Sequence, residues 1–241
     1  MSQLGRAASI LRALEDHPEG RMAADVALDV GLPRSTAHRL LQNLVAEDLV
    51  VQVVDGRRYR LGPTLIRLGV TTQAWLADRL RPLVTEMSLT ASETVDVSIQ
   101  TGDRALFIDQ VVAAGRLQAV SQIGGSFPLH CCASGKALLA QFGNDDVRSI
   151  VRDELERFTE NTITTIDDLL RDLDTVRATG IAYDRDEHTI GISAVAAAVL
   201  NSTGLPVALA FPVPSSRFVE REAMLVDMLG DGVERARSIL G

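Results

Sequence analysis

Apolar residues Ile10, Leu11 and Leu14 recur at helical spacing near the start of the chain, and a second helical stretch covers 22–30 before a turn at Gly31. Pro33 cannot lie inside a helix but suits its start. It precedes the clearest stripe in the sequence, Ala37, Leu40, Leu41, Leu44 and Val45, which fall on one face of a 3.6-residue repeat. The opposite face carries Ser35, Thr36, His38, Arg39, Gln42 and Asn43, with Arg34 at the helix start. The period then changes. "LVVQVVDGRRYRL" combines a β-branched run, an Asp55-Gly56 turn, and Tyr59 and Leu61 alternating with arginines. That pattern predicts a hairpin with Arg57, Arg58 and Arg60 at or just after its tip.

From Thr64 the pattern is helical again, with a break expected near Pro82. Strands are predicted at 95–100 and 105–112 across Gly102-Asp103, then an extended stretch at 118–122, a Gly-Gly turn, and a helix opening within "CCASGKALLA". Further on, Thr165 suits the N-cap and Gly180 the end of a helix, followed by a strand from Ile181. Strands at 194–200 and 207–211, joined by Asn201-Ser202-Thr203-Gly204, and a helix from about Phe218 complete the chain. Hairpins mixed with helices predict an α+β fold. The expected division is a DNA-binding domain over 1–63, a connector helix over 64–78 and a second domain over 79–241.

Charge first argues against nucleic acid, because the net value is −8. Its distribution reverses that reading. Residues 1–63 hold eight arginines and eight acids (net 0), whereas 64–241 hold 16 basic and 24 acidic side chains (net −8). An acidic body on a neutral, arginine-bearing head suits a head that touches DNA. The head's two helices, glycine turn and arginine-tipped hairpin describe a winged helix-turn-helix. Ser, Thr, His, Arg, Gln and Asn are the side chains that donate and accept at base edges, and hairpin arginines approach phosphate. The expected DNA contacts are therefore Arg34, Ser35, Thr36, His38, Arg39, Gln42, Arg57 and Arg58.

"GLPRSTAHRLLQNLVAEDLVVQ" with "GRRYRLGPTLIRLG" resembles the DNA-binding half of the IclR family of bacterial transcriptional regulators. "LHCCASGKALLA" and "DEHTIGISAVAAAVLNSTGLPVALAFPVP" are similar to the two signature segments of its effector-binding half. The resemblance covers essentially the whole chain. It implies a winged helix-turn-helix joined by a connector helix to a GAF/profilin-like antiparallel sheet with flanking helices. It also implies a repressor or activator acting as a homodimer or tetramer on double-stranded DNA, expected to be a palindromic operator.

The 241 residues include one lysine, Lys136, against 23 arginines. Its segment fails as a phosphate loop, since His130 replaces the first glycine and Ala137 the final Ser or Thr. A Ser134/Lys136 nucleophile, or a GAF-like enzyme or redox sensor using Cys131 and Cys132 beside His130, lacks an evident orienting group and oxyanion site. These remain the alternatives. As a helix start capped by Ser134, the segment would direct the N–H groups of Gly135, Lys136 and Ala137 at an anion. The resemblance implies such an effector, a small organic acid with an aromatic or apolar body, held by Ala119, Ala133, Ser134, Gly135, Lys136, Asp184, Ile192, Ala194, Phe211 and Val213. Whether Lys136 touches the effector or braces its loop stays open at this level.

Neither cofactor nor bound metal is expected, because the four histidines lack metal-site spacing and the adjacent cysteines suit neither a disulfide nor a zinc pair. No apolar run reaches the ~20 residues of a membrane span, and Arg6, Arg12 and Glu15 interrupt the first apolar segment. A cytoplasmic protein is expected.

Overall fold

The computed structural model describes residues 2–15, 17–53, 56–114, 118–151 and 154–241, without the side chains of 72–75. They form two compact units, Met1–Thr72 and Gln73–Gly241. In the first, helix α1 (Gln3–Ala13) is followed by β1 (Arg21–Met22), α2 (Ala23–Asp29), α3 (Arg34–Ala46), β2 (Val50–Gln52) and β3 (Arg58–Leu61). The Ser2 hydroxyl caps α1 by accepting the Gly5 N–H at 3.1 Å. Gly31, at φ +64°, turns the chain between α2 and α3. The three strands form an antiparallel sheet in the order β1-β3-β2. Ala37, Leu40, Leu41 and Leu44 of α3 are buried, the last three in a core with Ile10, Leu14, Val26, Val50 and Tyr59. Val45, at the margin of the stripe, is half-buried. Gly56 has the positive φ of a tight turn, while Asp55 lies outside the described residues.

Helix α4 (Pro63–Ala91) runs past residue 78 and through Pro82, so neither the expected connector boundary nor the expected break occurs. Proline removes one helical hydrogen bond there, but Leu80, Leu83, Val84 and Met87 around it are buried in the second unit's core and hold the turn in place.

The second unit is built on a six-stranded antiparallel sheet in the order β6-β5-β4-β9-β8-β7. Its strands are β4 (Val95–Thr101), β5 (Arg104–Val111), β6 (Ser126–Pro128), β7 (Ala182–Arg185), β8 (Ile192–Leu200) and β9 (Pro206–Pro214). The stretch 118–122 forms no strand; β6 pairs with β5 instead, and a 3-10 turn (Leu129–Cys131) leads into α5 (Ala133–Leu139). Then come α6 (Asn144–Ile150), α7 (Ile166–Thr179) and α8 (Ser215–Leu240). Thr165 caps α7 by accepting the Asp168 N–H, and Gly180 ends it at φ +78°.

Both sheet faces are buried, and side-chain size separates them. Val195, Val199, Val207, Leu209, Phe211 and Val213 pack with α4 and α8, whereas Ala194, Ala196, Ala208 and Ala210 pack with α5 and α7. The alternation of large and small residues along β8 and β9 lets α5 approach the sheet closely.

Candidate functional site

In the first unit, burial of the α3 stripe leaves Arg34, Ser35, His38 and Arg39 exposed and Thr36 half-buried. Gln42 is also exposed, but its Nε2 donates to Tyr59 Oη at 2.9 Å. One hydrogen bond thus joins α3 to the middle strand of the wing, a link that periodicity could not reveal. Arg57, Arg58 and Arg60 are exposed on the hairpin arm around buried Tyr59.

In the second unit a cavity of about 290 Å³ opens between the alanine face of the sheet, the start of α5 and the segment after β7. Ala119, Ala133, Ser134, Asp184, Ile192 and Ala194 line it, with Asp96, Phe107, Gln118, Ser121, Phe127, Cys132, Thr189, Ala210 and Pro212. Phe107 meets Phe127 edge-on at 5.1 Å, and Phe127 stacks on His188 at 3.8 Å.

Four of the expected effector contacts lie elsewhere. Phe211 and Val213 point into the opposite core, because successive strand residues alternate faces; their neighbours Ala210 and Pro212 line the cavity. Gly135 is buried against the 3-10 turn, where a Cβ would stand 2.3 Å from the Leu129 carbonyl oxygen. Lys136 is 1% exposed, with Nζ at 2.7 and 2.9 Å from the two oxygens of Glu187 and 3.2 Å from Asp172 Oδ2. Burial lowers the Lys136 pKa, but the charges of Glu187 and Asp172 outweigh it and hold the ammonium above its usual range. The lysine is therefore a brace between α5, α7 and the segment carrying Asp184.

Nor is Ser134 the cap. The helix begins two residues earlier, at Ala133, and Cys132 takes the cap position: its Sγ accepts the Gly135 N–H at 3.4 Å and its carbonyl accepts the Lys136 N–H at 3.0 Å. Two of the three N–H groups expected to meet an anion are thereby engaged. Burial raises both thiols, Cys132 to about 12 and Cys131 further, the reverse of what a reactive thiolate needs.

The cavity holds two buried carboxyl groups. Asp96 Oδ1 accepts from Gln110 Nε2 at 2.6 Å and Oδ2 from Ser121 Oγ at 2.5 Å; burial raises its pKa to about 6. Asp184 Oδ1 accepts the Glu187 N–H at 2.7 Å, and burial raises its pKa to about 7. Sequence reasoning missed Asp96, although an acid between Val95 and Val97 in a β-branched run is a recognisable anomaly. A raised folded pKa means that the native state binds the proton more tightly than the unfolded chain. The Asp184 contribution is thus complete below an unfolded pKa of ~3.9 and lost as pH rises through about 7. Asp184→Asn keeps the acceptor without the charge. Its stability relative to wild type should rise by a few kcal/mol between pH 5 and pH 8, at about 1.4 kcal/mol per pKa unit, in paired urea titrations.

Among the described residues no group of three or more His, Cys, Asp and Glu side chains comes together as a metal site, and no helix is long and apolar enough to cross a membrane.

Residues 3–54 match the family described as the IclR helix-turn-helix domain, and residues 69–238 match the bacterial transcriptional regulator IclR C-terminal family. The HTH-type transcriptional regulator Rv1719 of Mycobacterium tuberculosis is 43% identical over 226 residues, which are 94% of this chain and 87% of that protein. The crystal structure of a putative IclR regulator from Silicibacter sp. TM1040 shares the fold at a TM-score of 0.91 and 21% identity, over 100% of this chain and 96% of that one. An IclR homologue from Microbacterium hydrocarbonoxydans, solved with 4-hydroxybenzoate, superposes at 0.76 and 22% identity over 99% of both chains.

Proposed function

Because the chain belongs to the IclR family, as both domain matches and the Mycobacterium relative show, we propose that the exposed face of α3 reads an operator whose occupancy is set by a small molecule in the alanine-faced cavity. The protein is a helix-turn-helix transcriptional regulator with a C-terminal ligand-binding domain, and not an enzyme. The observation that carries the DNA assignment is the division of α3 into a buried stripe and an exposed face rich in short-range donors and acceptors. Arg34, Ser35, Thr36, His38 and Arg39 then meet base edges, and Arg57 and Arg58 meet the backbone. Gln42 orients the wing through Tyr59 as well as facing the groove. A homodimer or tetramer on a palindromic operator in the cytoplasm completes this reading, since paired recognition helices one DNA turn apart require symmetric half-sites.

The cavity's size and walls support an effector with an aromatic or apolar body. An apolar cavity of ~150 Å³ holds benzene, so 290 Å³ admits one substituted ring against Phe107, Phe127, Ile192 and Pro212. The ring ligand of the Microbacterium homologue has that scale. Such a ligand regulates only by binding the DNA-competent and DNA-incompetent states unequally.

Mobility shifts on the DNA upstream of the protein's own gene, with and without a panel of ring compounds, test the assignment. Arg39→Ala should lose about ten- to a hundred-fold in operator affinity while random DNA is bound as before; Arg57→Ala should weaken both and flatten the salt dependence. Equal losses on both DNAs from both variants would remove α3 as the reading helix.

A further inference from the structure

We propose that Gln42 reads an adenine in the operator, and that Tyr59 restricts it to that base. This deepens the assignment of α3 as the reading helix and rests on it. Ser35, His38, Arg39 and Gln42 fall at i, i+3, i+4 and i+7 of α3, so one exposed ridge carries all four. Among the described residues no side-chain hydrogen bond or ion pair holds the first three. Gln42 differs: its Nε2 donates to Tyr59 Oη at 2.9 Å. The anchor is firm, because Tyr59 is 2% exposed, packs in the core with Leu40, Leu41 and Leu44, and is paired on both sides, with Arg21 of β1 and Gln52 of β2.

That bond decides what the amide still offers. A glutamine side chain carries two N–H donors and one carbonyl acceptor. Left free, it turns either one donor with the acceptor, or both donors, toward a base. Tyr59 engages one N–H, so a single donor and the carbonyl remain. In the major groove adenine matches that pair, with an N7 acceptor beside an N6 donor. Guanine shows two acceptors, N7 and O6, and one of them would meet the amide carbonyl. Cytosine supplies only a donor and thymine only an acceptor beside its methyl group, so each leaves half of the amide unpaired. Tyr59 thus excludes guanine by removing the second donor, and it holds the amide in place before DNA arrives, which lowers the ordering cost of binding.

Selection of binding sites from random-sequence duplex DNA by the full-length protein, scored base by base, tests this. The wild type should favour adenine by about tenfold over the other bases at one fixed position of the selected site. Gln42→Ala should lose that preference and keep those at other positions. Gln42→Glu should exchange adenine for cytosine, whose N4 amine donates to a carboxylate. Tyr59→Phe frees the second N–H, and guanine should rise to within about threefold of adenine at that position alone. An unchanged site in Gln42→Ala overturns the proposal, as does an even loss at every position, which would make Gln42 a brace for the wing and nothing more. Adenine retained by Gln42→Glu, or guanine still excluded by a folded Tyr59→Phe, also overturns it. Gln42 is exposed, so its two variants decide the matter if Tyr59→Phe folds poorly. A wild type that enriches no sequence removes α3 as the reading helix and the proposal with it, whereas enrichment indifferent to Gln42 removes the proposal alone.

Discussion

Replacing Lys136 by methionine should destabilise the protein by about 3–5 kcal/mol, the usual consequence of removing one partner of a buried ion pair. The side chain is 1% exposed and bonds both oxygens of Glu187, itself buried. Methionine matches the stem's volume, so packing is nearly preserved. The loss comes from a carboxylate stranded without its cation. At 2–4 °C per kcal/mol for a protein of this size, the melting temperature should drop by on the order of 10 °C. Lys136→Met/Glu187→Met should recover part of that loss, because the buried Glu187 charge is removed with its partner, while Asp172, 3.2 Å from the ammonium, still loses its cation but keeps access to water. Calorimetry on the two variants decides the matter. If the single variant melts like wild type, the pair contributes nothing to the fold. The double variant should still bind operator DNA, since neither residue lies in the DNA-reading unit.

Gly135→Ala should be comparably severe for a different reason. The new Cβ would lie 2.3 Å from the Leu129 carbonyl oxygen and 2.5 Å from its Cα, both backbone atoms that no rotamer change can move. Overpacking commonly costs ~1–3 kcal/mol, and here relief requires α5 to separate from the 3-10 turn, so a loss beyond ~3 kcal/mol or failure to accumulate folded protein is expected. Gly230→Ala supplies the control. That glycine lies in α8, exposed, with nothing within 4 Å of the added carbon, and the same substitution should stabilise by about 0.5–1 kcal/mol through helix propensity. Opposite signs in parallel denaturant titrations would identify Gly135 as a packing residue; equal and small effects would contradict the close approach.

These cases show what the sequence could and could not convey. The α3 stripe, the hairpin, the Thr165 cap and the Gly180 terminator were legible because each depends on residues near in sequence. The cavity wall depends on which face of a strand looks where. In β9 both faces are apolar, so alternation of polarity carries no information there, and Phe211 and Val213 belong to the expected ligand wall only through the family resemblance. Their size in fact suits the interface with α4 and α8, while a cavity requires the small residues beside them. The large-small alternation of "AVAAAVL" and "VALAFPVP" was the available signal. Asp96 and the Gln42–Tyr59 bond were hidden for another reason: their partners lie 14 to 25 and 17 residues away, and only folding brings them together.

The chain's near-total preference for arginine has a practical outcome. Lys136 is the only side-chain amine in 241 residues, and the fold encloses it. An acylating reagent added to the native protein therefore has the terminal α-amino group to consume and a single internal target that it reaches only when α5 parts from the segment carrying Glu187. The rate at which the peptide containing Lys136 gains mass would count those openings directly, in native buffer and without any introduced label. A ligand that closes the cavity should slow that clock.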